Sequence, residues 1–324
     1  MKIFVTGGNG FIGSRVVRKL VEAGHEVRCL LRQTSDTRRI DDLPFERWTG
    51  DVRDSASMAE GMRGTDGCIH LASVSSWDQI RSPDLETTVI DGTRNILEAA
   101  VAAGKIRTVF ISSSTAVNAT SEPKIFDENT VFELDNTPLR YAIAKHRAEE
   151  MVLDYVKNKG LPVVIVNPCE VYGPHDTGFI TAGNLRDMIR DWPALACRGG
   201  TAVAHVDDVA FGIVRAFEKG RVGERYILGG DNLSVEELVR LTNKIAGKPS
   251  KPVLRIPNGA LKWTVQTMAK WKLPTPVIPE VLDYATMFFF VDCAKAKSEL
   301  GYSPRPAAEV VQPVVDWLKE AGHV

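Results

Sequence analysis

The stretch TGGNGFIG, residues 6 to 13, constrains the fold of this chain more than any other. It follows an apolar run, KIFVT, and leads into an amphipathic pattern from about Phe11 to Ala23. Glycines at 7, 10 and 13 allow a tight strand-to-helix turn whose backbone can approach a bound group closely. The helix beyond such a turn opens with unpaired N–H groups and the positive end of its dipole. The ligand that suits both features is the pyrophosphate of a dinucleotide. A lone glycine triplet would say little, but here it sits after one strand and before one helix at the start of the chain. The turn therefore predicts Gly7, Gly10, Phe11, Ile12 and Gly13 as cofactor contacts.

The rest of the first half keeps the same alternation. EVRCLL, FERW, CIHLA, RTVFIS and PVVIVNP read as strands, with helices from about Leu85 to Ala103 and around Tyr141. This predicts an α/β fold with a doubly wound parallel Rossmann sheet and right-handed crossovers over residues 1–175. After Pro174 the rhythm becomes irregular. A helix around Val206 to Glu218 and the strand-like RYILGG are expected to return to the first unit near 203–228. Helices around Ser234 to Ile245 and Leu261 to Lys272 belong to a smaller substrate-binding lobe over 176–324. The proline-rich KLPTPVIP, 272 to 279, reads as a rigid connection within that lobe.

Charge narrows the partners. With 40 basic against 41 acidic residues, the whole molecule has no field that would recruit nucleic acid or an anionic membrane as its main partner, so any basic feature must be local. The five cysteines are scattered without metal-ligand spacing, which suits reduced, mostly buried thiols in a cytoplasmic protein and predicts no metal site. The N-terminus runs directly into a strand, so no signal peptide is expected. The most apolar later stretch, YATMFFFV at 284 to 291, is far too short to span a bilayer.

Three further segments carry chemistry. The second strand ends in CLLRQTSDTRR, with arginines where a free ribose 2′-hydroxyl would call for an acid. A guanidinium fork matches a 2′-phosphate, so Arg32 is expected to select NADP(H), with Arg39 as a weaker contact. Asp51 and Val52, in WTGDVRD, are placed for the adenine, while Leu71, Ala72 and Ser73, in CIHLAS, let backbone pass close to the cofactor. RTVFISSSTAVNA is a strand ending in three serines, and strand ends face the ligand crevice of an open parallel sheet. Beyond it comes TPLRYAIAKHRAEE, with Tyr141 and Lys145 four apart on one helix face. A ketone reduced by hydride needs a proton, and a tyrosine can give it if a cation draws its pKa of roughly 10 toward neutrality. Ser114 would orient the substrate oxygen, Tyr141 would donate, and Lys145 would tune the phenol and hydrogen-bond the nicotinamide ribose.

These segments, in this order, resemble the extended short-chain dehydrogenase/reductase family, within the NAD(P)-dependent epimerase/dehydratase superfamily. The resemblance continues through AHVDDVA to the closing FVDCAKAKSELGYSPRP, and is similar to the dihydroflavonol-reductase-like and hopanoid-associated sugar-epimerase-like branches. It implies Ser114 at the catalytic serine position with Ser113 as the neighbour in register, Tyr141 as acid/base, Lys145 as its partner, and Pro168 and Val171 lining the nicotinamide side. It also implies pairing of the Leu85 and Tyr141 helices in a homodimer. Two positions depart from the family pattern: Val89 stands where an asparagine is usual, and Asn167 where an arginine is usual. The expected activity is NADPH-dependent reduction of a small-molecule ketone or aldehyde. The alternatives are a nucleotide-sugar epimerase or dehydratase with tightly bound NAD, for which Arg186, Arg190, Arg198 and Arg255 are available cations, and a non-catalytic dinucleotide sensor.

Overall fold

A computed structural model describes residues 1–324 apart from 75, 274 and 276–278. The expected connection KLPTPVIP falls largely on these positions and so lies outside the described residues. Seven strands form the central sheet: β1 (Lys2–Thr6), β2 (Glu26–Leu31), β3 (Glu46–Thr49), β4 (Gly67–His70), β5 (Arg107–Ile111), β6 (Val163–Pro168) and β7 (Arg225–Leu228). Their spatial order is β3-β2-β1-β4-β5-β6-β7, and every neighbouring pair is parallel. The chain winds outward from β1 through β3, then returns to β4 on the other side. In open parallel sheets a ligand crevice lies beyond the carboxyl ends at such a reversal.

Alternate residues of the inner strands feed two separate cores. Ile3, Val5, Ile69, Val109, Val164 and Val166 face one cluster, which includes Val16, Val17 and Leu20 of the helix Phe11–Glu22 and Val209 and Ile213 of the helix Val206–Lys219. Phe4, Cys68, Phe110, Val163 and Ile165 face the other, closed by Ile96 and Leu97 of the helix Gly92–Ala102 and Ala144, Ala148 and Val152 of the helix Arg140–Asp154. Burial on both faces explains why these strands read as continuous apolar runs. The expected Leu85 to Ala103 helix is present but interrupted by a π-turn over Thr87–Asp91, at the VIDGT segment, where the Thr93 hydroxyl donates to the Val89 carbonyl at 2.5 Å.

The irregular second half is held by strands too short to show a period. Gly200–His205 runs parallel to Glu170–Tyr172 and Phe288–Val291 and antiparallel to Asp231–Ser234, and Phe288–Val291 also pairs Ile125–Phe126. Helices Ala182–Arg190, Val235–Ile245 and Ala307–Glu320 cover this sheet through Leu185, Leu238, Val310, Val311 and Val314. Ser234 and Glu237 form a reciprocal capping box at the start of the middle helix. YATMFFFV, read above only as an apolar run, divides into the end of the helix Pro279–Ala285 and the strand Phe288–Val291. Four cysteines are buried, Cys197 is partly so, and all five are free.

Gly13 is the tightest point of the first turn. A Cβ there would lie 2.0 Å from the Gly7 carbonyl oxygen, a backbone atom that cannot swing aside. Gly13→Ala should therefore lower stability by about 1–3 kcal/mol, read as a lower midpoint in urea denaturation. An unchanged unfolding midpoint would contradict this packing.

Candidate active site

The glycine turn is fixed from the side by β4. Gly7 has a φ of +71°, and a Cβ on it would lie 2.7 Å from the Ala72 nitrogen. Thr6 links the two strand ends: its hydroxyl lies 2.7 Å from His70 Nδ1 and accepts from the Ala72 N–H at 3.1 Å. Burial pushes the His70 imidazole down to about 3, so it is a neutral partner in this contact. Leu71, Ala72 and Ser73 thus run directly beside Gly7. On the other side, Gly10 caps the helix Phe11–Glu22 without a side chain, and the first turn holds no acid. The N–H groups near Phe11 and Ile12 therefore face the turn in a positive potential. Glycines at closest approach and a bare helix N-terminus fit a dinucleotide pyrophosphate.

At the end of β2 the arginines divide. Arg38 is clamped to Asp36 through three hydrogen bonds. Arg39 donates to the His175 carbonyl at 3.0 Å and to Thr177 Oγ1 at 2.9 Å, so it bridges to the loop after VYGP. Arg32 is exposed, and among the described residues its guanidinium makes no hydrogen bond or ion pair. Asp51 is gripped by Arg53 in a bidentate pair at 3.0 and 2.9 Å, which holds its carboxyl below the usual range. Val52 is buried and its carbonyl accepts from Asn95 Nδ2 at 2.9 Å.

Beyond β5 the three serines separate. Ser113 caps the short 3₁₀ turn Ser114–Ala116, and its Oγ accepts from the Thr115 N–H at 3.2 Å and from the Thr115 hydroxyl at 2.9 Å. Ser114, expected to orient the substrate oxygen, begins that turn and is buried. The serine brought against Tyr141 is Ser113: the phenol lies between the hydroxyls of Ser113 and Ser73. Ser73 Oγ is buried. The helix carrying Tyr141 starts at Arg140 after Pro138, whose carbonyl accepts from the Arg140 N–H at 2.9 Å, and Leu139 anchors it by full burial.

Lys145 does not point at the phenol. Its Nζ donates to the Ile111 carbonyl at 2.8 Å and lies 6.0 Å from the Tyr141 ring centre and 5.2 Å from that of Phe110. Burial pushes the ammonium down to about 8, opposed by the charge of Glu149. At pH 7 it keeps its proton. Tyr141 is pushed up to about 12, because burial of the phenolate outweighs the help from Ser73 and Ser113. The ammonium is therefore held by the Ile111 carbonyl and makes no direct contact with the Tyr141 hydroxyl among the described residues.

Three residues support this lysine, and of these the sequence context marks only Asn167. Glu149, one turn further along and fully buried, pairs with Arg225 Nε at 2.8 Å. Its Oε1 accepts from Asn167 Nδ2 at 2.6 Å, and the same amide donates to the Ser113 carbonyl at 2.9 Å. Arg225, from β7, and Asn167, from β6, thus meet on the same buried carboxylate. Spacing i+4 from Lys145 could have flagged Glu149; nothing local could have flagged Arg225.

The remaining candidates, Pro168 and Val171, and the histidines near the site have ordinary surroundings. Pro168 ends β6 and Val171 lies on the short strand beside it, both buried. His205 caps its helix by accepting from the Asp207 N–H at 3.2 Å, and Asp208 is taken by Arg305 at 2.7 Å. His175 has a φ of +68° and meets the Trp317 ring edge-on. No grouping of three or more metal-ligating side chains occurs among the described residues, and no helix there is long and apolar enough to cross a membrane.

A glycine turn at the switch point, with a serine beyond the neighbouring strand end and a tyrosine and a lysine on the helix beside it, is the arrangement of a nicotinamide-dinucleotide enzyme site. The chain belongs to the NAD dependent epimerase/dehydratase family, whose model matches residues 3–229. It is 31% identical over 332 residues to a putative dihydroflavonol 4-reductase of Synechocystis sp., covering 99% of this chain and 95% of the relative. Its fold matches the crystal structure of gox2253 with a TM-score of 0.86 at 33% identity, covering 99% of both chains. It also matches a dTDP-glucose 4,6-dehydratase double mutant of Streptomyces venezuelae with NAD bound, at a TM-score of 0.79 and 24% identity over 99% of this chain and 97% of that one, a likeness of fold alone.

The buried ammonium makes stability depend on pH. Its folded pKa of about 8 lies below the ordinary 10.5, so between those values the unfolded chain holds more protons and stability rises with pH. Relative to Lys145→Met, the wild type should gain about 2–3 kcal/mol between pH 7.5 and 10.5 in urea unfolding. A constant difference across that window would contradict a buried charge.

Proposed function

We propose that this protein is an NADPH-dependent reductase of a ketone or aldehyde on a small molecule. The observation that carries the reading is the cluster of Tyr141, Ser113 and Lys145 beyond β5, next to the glycine turn. When bound, the nicotinamide supplies the hydride. Tyr141 hydrogen-bonds the carbonyl oxygen and gives up its phenolic proton as the alkoxide forms. The Ser113 hydroxyl, already against that phenol, shares the same oxygen. Lys145 keeps a positive charge near the phenolate left behind, which later regains its proton from solvent. Gly7, Gly10, Gly13, Phe11 and Ile12 would hold the pyrophosphate, and Leu71, Ala72 and Ser73 the adjoining ribose. Asp51 and Val52 would lie by the adenine, with Pro168 and Val171 on the nicotinamide side. Similarity to a relative named as a reductase over nearly its whole length supports this reading.

Arg32 supports NADPH over NADH, since it is an uncommitted guanidinium at the end of β2 with no unpaired acid beside it. Arg39 is the weaker contact, because the loop at His175 already engages it. The helix pair Gly92–Ala102 and Arg140–Asp154, extended by the π-turn, carries a groove lined by Thr87, Ile90, Ala144 and Met151, and we assign it to pairing with a second copy.

Tyr141→Phe should lower kcat by about 10²–10⁴-fold with NADPH affinity nearly unchanged; retained turnover refutes the assignment. Arg32→Ala should reduce the NADPH over NADH preference by about tenfold or more, a difference of about 1.4 kcal/mol. Equal kcat/KM for the two cofactors in the wild type would sink the role of Arg32.

A further inference from the structure

The helix Asn258–Lys270 turns its aromatic residues outward. Trp263 is 70% exposed and Trp271, which ends the helix, is 71% exposed, while Leu254 and Leu273 on either side are more than half exposed. Val265 is the helix's one buried residue, and it lies against Leu282 of the helix Pro279–Ala285. The spacing of Trp263 and Trp271 suggests a core or pocket face, yet the packed side of the helix is the opposite one.

The surrounding charge is one-sided. From Leu238 to Pro279 the sequence has no aspartate or glutamate and eight lysines and arginines, in a chain whose net charge is only −1. Some of these cations are committed. Arg240 and Arg255 share Glu236, Lys262 pairs with Asp283, and Lys248 and Lys251 hold the carbonyls of Met188 and Ile189. Lys270 and Lys272, which flank Trp271, make no ion pair among the described residues.

We propose that this face, centred on Trp263, Trp271, Lys270 and Lys272, docks the protein onto an anionic membrane surface. Tryptophan rings favour the depth of the headgroup region, and lysines beside them reach anionic phosphates and carboxylates. A helix free of acids that exposes one tryptophan along its length and a second at its lysine-flanked end has the chemistry of an interfacial anchor rather than a spanning segment. A second copy is the poorer occupant, because a two-fold contact would set basic surface against basic surface. The position also matters for the site. Helix Pro279–Ala285, on which the tryptophan helix packs, reaches the catalytic helix through the Tyr284 hydroxyl, which accepts from the Ala142 N–H at 3.4 Å. Arg81 and Glu280 tie the same helix to the segment after β4 at 2.8 Å. A bilayer docked here lies one helix away from Tyr141.

Co-sedimentation of the full chain with vesicles tests this directly, comparing phosphatidylcholine alone with a mixture containing about one third phosphatidylserine. The protein should pellet with the anionic vesicles at low salt and be released at about 0.5 M salt. Trp263→Ala with Trp271→Ala should weaken partitioning about tenfold or more, and Lys270→Gln and Lys272→Gln about fivefold each, with far-UV circular dichroism unchanged. Absence of binding to the anionic vesicles, or binding that these substitutions leave intact, overturns the proposal. So does self-association in solution that the tryptophan substitutions abolish, which would make the face a contact between copies.

Discussion

The ammonium of Lys145 is buried between two aromatic rings and a strand-end carbonyl, and the surrounding structure is arranged so that this charge can stay there. A charged group withdrawn from water this far would ordinarily lose its proton or its place. The Ile111 carbonyl, the Phe110 ring and Glu149 hold it, and Glu149 is itself kept by Arg225 and Asn167. Four elements thereby converge on one cation: β5, β6, β7 and the catalytic helix. The Asn167 amide extends the set to the Ser113 carbonyl, so the network that secures the lysine also positions the serine beside Tyr141.

Magnitudes decide what that charge can do. A unit charge about 6 Å away is worth about 3 kcal/mol at an effective dielectric of about 20, or about two pH units of acidity. That is the scale of the upward push that burial gives the Tyr141 phenol. With Lys145 in place the phenol still stands at about 12, so a lower value needs the positive nicotinamide of bound NADP⁺ beside the ammonium. Desolvation has a second use here, since a charge in low dielectric acts more strongly on a developing alkoxide than one in water.

The sheet and the glycine turn were legible because they depend on local patterns. Runs buried on both faces read as strands, and the clash of a Cβ at Gly13 with the Gly7 carbonyl shows why the triplet spacing matters. That Tyr141 and Lys145 share a helix was legible from their spacing of four after Pro138. The serine register was not, because Ser112, Ser113 and Ser114 are chemically alike and only the 3₁₀ turn at Ser114–Ala116 selects which one meets the phenol. Arg225 was hidden by distance in sequence: it reaches Glu149 only because β7 pairs β6, with Arg225 opposite Ile165. The second sheet escaped reading for a related reason, since strands such as Ile125–Phe126 find their partners more than 150 residues away at Phe288–Val291. Trp263 and Trp271 read as core because periodicity reports a face and not which side of it is covered.

The central claim is that Tyr141 is the proton donor and that the buried Lys145 charge makes it one. The direct measurement is the ultraviolet titration of tyrosinate at 295 nm in the NADP⁺ complex, taken as wild type minus Tyr141→Phe and repeated in a Lys145→Met background. The account predicts a phenol in the wild-type difference that titrates below about pH 10 and moves back up by about two pH units without the lysine. A Tyr141 signal that stays near 12, or one indifferent to Lys145, would contradict it.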